Sequence, residues 1–201
     1  MNRAAAFVIA AALAAPAFPS QALAKKPVLT ISIAQERKLE EEKLAKKELE
    51  ALLAKYDVER WLFTRDVVVE SGALPHSHPV LTVNTAGLGD EVTTLGEFLH
   101  EQMHWYGTEN REAFTAAIED LKAAYPDAPL APPEGARDAY STYLHLIVCT
   151  LEHDILTTLF GEEKARENLA GRRYYRWIYR QILENDAPIR TVMEKHGIAL
   201  P

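Results

Sequence analysis

Cysteine is almost missing from this chain of 201 residues, which contains a single one, Cys149. One thiol excludes an internal disulfide, so packing or a bound metal must stabilise the fold. Cys149 has Val148 and Leu151 as close neighbours. A thiol in apolar surroundings is most simply a small buried apolar group. The sequence therefore predicts neither a disulfide framework nor a cysteine nucleophile.

Basic residues are scarce relative to acidic ones. The chain has 22 Lys and Arg residues against 29 Asp and Glu residues, which gives a formal net charge of −7. A protein that binds nucleic acid needs a basic surface that neutralises phosphates. The composition therefore argues against a nucleic-acid partner.

Long apolar runs are missing except at the start of the chain. Ala4–Ala15 is almost entirely apolar, but prolines interrupt it before the roughly 20 residues that a membrane-spanning helix needs. Arg3 precedes this run and the small residues Ala22-Leu23-Ala24 follow it. That order is typical of a secretory signal peptide cleaved after residue 24. We therefore expect an exported protein of bacterial type, located in the periplasm or outside the cell, with no membrane anchor after cleavage.

Cleavage after Ala24 predicts that the mature protein begins at Lys25. N-terminal sequencing of the exported protein should therefore read Lys25-Lys26-Pro27. A soluble product that retains residues 1–24 would contradict the export prediction.

Beyond residues 1–24 we expect a charged N-terminal helix within 25–55 and one domain over 56–201. Residues 35–55 are dominated by Glu, Lys, Leu and Ala and contain neither Gly nor Pro, a composition that favours a helix. Leu39, Leu44 and Leu49 step by five residues, which scatters them around the helix. This spacing predicts a solvated helix.

The domain itself is predicted to begin with strands and continue with helices. Residues 61–70 and 80–85 have extended character and are separated by turn-forming residues, which favours a small antiparallel sheet. Helical segments with turn or proline boundaries follow at 94–106, 112–125, 137–160, 162–170, 174–184 and 187–196. The expected fold class is α+β, a helix-rich single domain with the small sheet ahead of the helix predicted over 94–106.

The segment His100-Glu101-Gln102-Met103-His104 carries the strongest chemical signal. Histidines four residues apart on a helix differ by about 40° of rotation and one turn of rise, so both imidazoles can bind one cation. Glu101 sits about 100° around the helix, beside that face, where it can take a proton from a metal-activated water. Such a match arises by chance in roughly one or two per cent of similar chains. Its helical context therefore favours a zinc site.

Catalytic zinc usually takes three protein ligands and leaves one position for water. The helix predicted over 137–160 carries His145, Glu152 and His153. On a helical wheel Glu152 lies about 20° from His145 and beside the apolar arc, whereas His153 lies about 100° from Glu152, nearer the polar face. This pattern favours Glu152 as the third ligand. His145 stays open as a ligand, as a donor that steadies an oxyanion, or as a core histidine.

Together these residues resemble the zincin metallopeptidases, in which a His-Glu-x-x-His helix follows a substrate-binding strand. A downstream glutamate is similar to the gluzincin branch, which includes thermolysin-like peptidases. The resemblance spans residues 80–152 and implies His100, His104 and Glu152 as zinc ligands and Glu101 as general base. The chain departs from that branch at Leu156, where an Asp often supports a histidine ligand; substitutes for that Asp are Asp120, Asp138 and Glu97. The C-terminal half, including residues 174–179, resembles uncharacterised exported bacterial proteins.

Other histidines and tyrosines are predicted to be structural. His76 and His78 stand in a proline-flanked loop and are interpreted as ordinary loop residues. The alternative is that they form a second metal-binding site. One face of the helix predicted over 174–184 carries a stripe of residues that we interpret as facing the core. The alternative is that one of its tyrosines donates a hydrogen bond to a transition state. This stripe comprises Tyr174, Tyr175, Ile178 and Ile182.

The leading functional prediction is a zinc-dependent hydrolase, a peptidase acting on a peptide or protein substrate. Glu101 is the expected base and His145 a catalytic candidate. The strand at 80–85 is expected to pair with an extended substrate backbone. The alternative is a non-catalytic zinc-binding or partner-binding module on a peptidase-like fold.

Overall fold

The protein is seen in a computed structural model that describes residues 30–33 and 39–201. The signal peptide predicted over 1–24 lies outside these residues. Within them, seven α-helices, three strands and one short 3-10 turn form a helix-rich domain with a small sheet, so the α+β class is confirmed. None of the described helices combines the length and apolarity needed to cross a membrane.

The sheet contains β1 (Thr30–Ile33), β2 (Asp66–Val69) and β3 (Leu81–Val83) in that order. Both pairings are parallel, with Ile31 opposite Val67 and Val67 opposite Leu81. The predicted antiparallel arrangement is therefore wrong. Antiparallel neighbours can be joined by a tight hairpin, whereas parallel neighbours need a longer crossover. Residues 70–80 provide that crossover, because the chain turns at Gly72 and returns before it enters β3 in the direction of β2.

Helix α1 (Glu40–Lys55) follows β1 and lies within the helix predicted over 35–55, of which residues 35–38 lie outside the described residues. Its buried residues are Glu42, Ala45, Leu49 and Leu52, a helical i, i+3, i+7, i+10 stripe. The prediction of a wholly solvated helix is wrong because it followed leucines alone and omitted Ala45 and Leu52. Buried Glu42 accepts hydrogen bonds from the backbone N–H groups of Leu39 and Ser71, at 3.2 and 2.9 Å. The bond from Leu39 caps the start of α1, and the bond from Ser71 connects α1 to the segment after β2.

The remaining helices agree closely with the predicted segments. They are α2 (Glu91–Glu109), α3 (Arg111–Ala124), α4 (Ala139–Phe160), α5 (Glu162–Ala170), α6 (Arg176–Asn185) and α7 (Ala187–Lys195). Helix α2 begins earlier than expected because Asp90 caps it, accepting from the N–H groups of Val92 and Thr93. Helix α4 is buried along most of its length and packs against α2, α3, α5, α6 and α7. It is therefore the central element of the core.

Gln102 fixes the position of α2 relative to the segment that enters the sheet. Its side chain is fully buried, and its amide oxygen accepts from the N–H groups of Phe63 and Thr64 at 2.9 and 3.0 Å. Its amide nitrogen donates to the Thr64 carbonyl oxygen at 2.9 Å. Met103 beside it is also fully buried. The two middle residues of the predicted metal motif are therefore structural, and they hold the helix that carries the histidines.

Candidate metal centre

Helix α2 presents His100 and His104 on one face, one turn apart. Their ring centroids are 5.1 Å apart and the ring planes meet at 67°. His100 is buried and His104 is half-buried. The geometry expected from histidines four residues apart is therefore present, on a helix whose opposite contacts are fixed in the core.

Helix α4 adds a third imidazole, that of buried His145. Its ring centroid lies 4.9 Å from that of His104 and 5.5 Å from that of His100. The three side chains can offer ligand atoms that all lie within 4.8 Å of one another. His100, His104 and His145, which we call the histidine cluster, therefore form a group that could hold a metal ion.

Hydrogen bonds fix which nitrogen of His145 is available. Its Nδ1 lies 2.6 Å from the Ser141 carbonyl oxygen, one helical turn earlier. A carbonyl oxygen only accepts, so Nδ1 carries the proton and Nε2 keeps its lone pair. A neutral imidazole in this tautomer cannot donate from Nε2. The geometry therefore favours His145 as a ligand over His145 as a donor to an oxyanion.

Glu152 lies against His100, at a distance of 2.8 Å between the carboxylate Oε2 and the ring Nδ1. Because an ionised carboxylate only accepts, this contact places the proton of His100 on Nδ1 and leaves Nε2 for a metal. Glu152 belongs to a second potential metal-binding group, with His100 and Cys149, that does not include His104. The assignment of Glu152 as third ligand stays a prediction, but the described geometry favours His145 for that position.

Glu101 is buried directly after His100 in α2, with 6% of its surface exposed. Burial raises the pKa of its carboxyl group to about 7, and the nearby carboxylates of Glu97 and Glu152 add to this while His100 and His76 oppose it. A carboxyl group with a pKa near neutrality is suited to exchanging protons at physiological pH. The predicted base therefore lies beside the histidine cluster in an environment that suits the role.

The pKa values of the three imidazoles separate according to their partners. Burial, reinforced by repulsion from His100, lowers the pKa of His145 to about 3 and that of His104 well below its usual value. Burial would also lower the pKa of His100, but the Glu152 carboxylate raises it well above the usual value. His104 and His145 are therefore neutral near pH 7, which is the form that binds metals.

Tyr175 covers the histidine cluster from the start of α6. Its ring centroid is 4.2 Å from that of His145, and its plane lies within 7° of that of His100. Its φ angle is 58°, a left-handed conformation that is uncommon for a bulky residue and that often marks functional sites. The next two backbone N–H groups donate to the carbonyl oxygens of Pro133 and Glu134, which holds this turn in place. Burial raises the pKa of the Tyr175 phenol.

The prediction of a core-facing stripe is only partly correct. Ile178 and Ile182 are buried, but Tyr174 is 57% exposed and Tyr175 faces the imidazoles. Tyr179, which the stripe omitted, is buried and donates its hydroxyl to Glu152 Oε2 at 2.8 Å. A helical wheel misplaces Tyr174 and Tyr175, because both residues precede α6 and the chain makes a left-handed turn at Tyr175.

The loop before β3 lies next to the histidine cluster without joining it. The His78 ring stacks on Trp105 at 4.1 Å, and Trp105 donates from Nε1 to the Ser77 carbonyl oxygen. His76 pairs with Thr82 through both backbone hydrogen bonds. Since this pairing occupies the outer edge of β3, the described strand is not free to pair with an extended substrate backbone there.

The other residues considered from the sequence have separate partners. Asp120 bonds Lys195 and His196, Asp138 caps α4 at the Ser141 N–H, and Glu97 accepts from the Asn84 N–H. His153 is buried beside Asp154 and Glu162, at 3.7 and 3.5 Å. Glu152 is the described carboxylate that supports a histidine of the cluster through the other nitrogen of its ring, as the Ser141 carbonyl oxygen does for His145.

Comparison with known proteins returned no match: no family model, curated protein or solved structure matches this chain. The case for a function therefore rests on the geometry and chemistry of the site itself.

Proposed function

We propose that the protein is a metal-dependent hydrolase, a peptidase of zincin type, with zinc held by His100, His104 and His145. The observation that carries the proposal is the meeting of the two motif histidines on α2 with a third histidine on α4, beside the buried carboxyl group of Glu101. Three histidines with one position left open is a ligand set used by catalytic zinc sites.

The donor set of the cluster fits such an ion. His100 and His145 each use Nδ1 in a hydrogen bond to an oxygen acceptor, which leaves Nε2 as the coordinating atom. Histidine ligands of metals almost always donate their other N–H group in this way. Neutral imidazole nitrogens suit zinc, and the cluster needs no thiolate. The chain's own hydrogen bonds thus support a metal site in which two of the three histidines, His100 and His145, are already oriented.

Bound zinc would supply Lewis-acid chemistry, which polarises a scissile carbonyl and lowers the pKa of water. Glu101 would then accept a proton from the attacking water as the new C–O bond forms. The same carboxyl group would return that proton to the amine nitrogen as the C–N bond breaks. Its burial and its position next to His100 support this role.

Tyr175 is the best-placed side chain to donate a hydrogen bond to the oxyanion. Its ring packs on His145, and its phenol stays protonated because burial raises its pKa. His145 is less suited to this role because its Nδ1 proton is committed to Ser141. Tyr175 thus replaces His145, which the sequence had suggested as the catalytic candidate.

Tyr175→Phe is expected to lower kcat by about 10²- to 10³-fold, the usual effect of removing one oxyanion donor. Zinc affinity should stay within a factor of a few of the wild type, because the ring that packs on His145 is retained. Steady-state kinetics with a cleaved peptide and zinc titration measure the two effects. Tyr174→Phe is the matched control, since its ring is largely exposed. Wild-type kcat in Tyr175→Phe would remove this residue from the mechanism.

The proposed function is tested by measuring metal content and hydrolysis of a peptide library on the same purified protein. We expect about one zinc ion per chain, loss of hydrolysis on chelation, and recovery when zinc is restored. A protein that keeps zinc but cleaves no peptide would instead support the non-catalytic module. Absence of zinc from a folded protein would refute both proposals.

The proposed place of action is the periplasm or the outside of the cell. Support comes from the signal-peptide pattern of residues 1–24 alone, which the N-terminal sequencing described above tests.

A further inference from the structure

A largely buried polar group lies on the Nδ1 side of the His100 ring. It consists of Glu152 on α4, Tyr179 on α6 and Arg172 in the turn between α5 and α6. Glu152 is 1% exposed and Tyr179 is 5% exposed. These three residues, which we call the rear triad, bring the C-terminal part of the chain into contact with the candidate metal centre.

Each oxygen of Glu152 has a defined partner. Oε2 accepts from His100 Nδ1 and from the Tyr179 hydroxyl, both at 2.8 Å, and Oε1 accepts from Arg172 Nη2 at 3.4 Å. The Tyr179 and Arg172 donors hold the carboxylate from two sides, so its rotation away from His100 would break both contacts. A carboxylate fixed in this way accepts only and keeps the proton of His100 on Nδ1.

The sequence of α2 makes room for this arrangement. Gly96 lies one turn before His100, and a Cβ atom at that position would approach Arg172 Nη2 to 3.1 Å. Glycine within a helix costs about 1 kcal/mol relative to alanine, so its presence calls for a packing reason. Close passage of the Arg172 guanidinium past α2 provides that reason.

We propose that Tyr179 and Arg172 are positioning residues that act through Glu152 to hold His100 with Nδ1 protonated and Nε2 directed to the metal. This inference rests on the proposed function in one respect, the role of His100 as a zinc ligand. It assigns a role at the metal centre to the C-terminal helices, which the motif itself does not contain. Neither residue touches substrate or metal in this role.

Tyr179→Phe tests the proposal because it removes one hydroxyl and keeps the ring. The matched control is Tyr143→Phe, which removes a hydroxyl that donates to the Tyr125 carbonyl oxygen at 2.8 Å from a residue that is likewise 5% exposed. We expect Tyr179→Phe to weaken zinc binding by about tenfold, as loss of an outer hydrogen-bond partner commonly does, and Tyr143→Phe to keep the wild-type affinity. In metal-free protein, at a pH above the pKa of His100 where its ring is neutral, ¹⁵N NMR should show His100 with Nδ1–H in the wild type and control, and a mixture of tautomers in Tyr179→Phe.

Equal zinc affinity and an unchanged His100 tautomer in the two variants would overturn the proposal. If Tyr179→Phe does not fold, Arg172→Gln gives the same test through the other donor, with the same expected loss of affinity and the same overturning result. Failure of the proposed function would look different, because wild-type protein would then not bind zinc or His104→Ala would bind it equally well. The NMR measurement on metal-free protein would still decide whether the rear triad sets the tautomer.

Discussion

Glu101→Gln is expected to bind zinc as the wild type does and to lose hydrolysis by at least about 10²- to 10⁴-fold, the usual contribution of a positioned base. The amide has nearly the same shape as the carboxylate, and all three residues of the histidine cluster remain. An amide cannot accept the proton of an attacking water at neutral pH. The variant therefore separates metal binding from chemistry.

The control for Glu101→Gln is Glu97→Gln, one turn earlier on α2. Its carboxylate accepts from the Asn84 N–H at 2.9 Å, and a glutamine oxygen can keep that bond. Both variants replace a carboxyl group of the same helix by an amide, so loss of activity in Glu101→Gln alone would exclude a general electrostatic effect. Both are assayed by zinc stoichiometry and by kcat/KM on one peptide. Wild-type kcat/KM in Glu101→Gln would refute the base assignment.

His145→Ala is expected to lower the affinity for zinc by more than the roughly 10- to 100-fold that follows loss of a hydrogen-bond partner of a ligand. The reason is that His145 places a lone pair in the cluster with His100 and His104. Zinc at about 1,000 times its Kd stabilises a folded protein by about 4 kcal/mol. In a chain of this size that corresponds to a rise in Tm of roughly 8–16 °C, which His145→Ala should not show.

Two variants on α4 make this test decisive. His153→Ala removes a second buried histidine of the same helix that lies outside the cluster, so it should keep both zinc affinity and the zinc-dependent rise in Tm. Glu152→Gln should weaken zinc binding by about 10- to 100-fold without abolishing it, since its carboxylate contacts His100 Nδ1. If Glu152→Gln loses zinc and His145→Ala keeps it, the ligand set predicted from the sequence is correct and the three-histidine set is wrong.

The contrast between Glu152 and His145 shows what a helical wheel leaves out. The wheel places the two residues on one side of α4, and both do contact the metal-binding helix through His100. It discards the rise along the axis, however, and seven residues correspond to about 10.5 Å. Only the packing of α2 across α4 decides which of the two lies level with His104. That packing depends on side chains from the whole core.

Helix existence was predictable because apolar periodicity and Gly or Pro boundaries act locally. Strand direction was not, because it depends on where the 70–80 segment travels after it leaves β2. The left-handed turn at Tyr175 was also hidden, since it is imposed by hydrogen bonds to Pro133 and Glu134, far away in sequence. The metal motif was visible because its four-residue spacing is itself a local property of the helix.

The hydrogen bonds between the Gln102 side chain and the backbone of Phe63 and Thr64 affect how this part of the molecule can open. The backbone amides of Phe63 and Thr64 are held by a side chain that stands between Glu101 and Met103 and is fully buried. Those amides can exchange with solvent only when α2 separates from the segment leading to β2. We therefore expect the histidine-bearing helix and the segment that enters the sheet to open together as one cooperative unit, and the amides of Phe63 and Thr64 to exchange at the rate at which the histidine cluster comes apart.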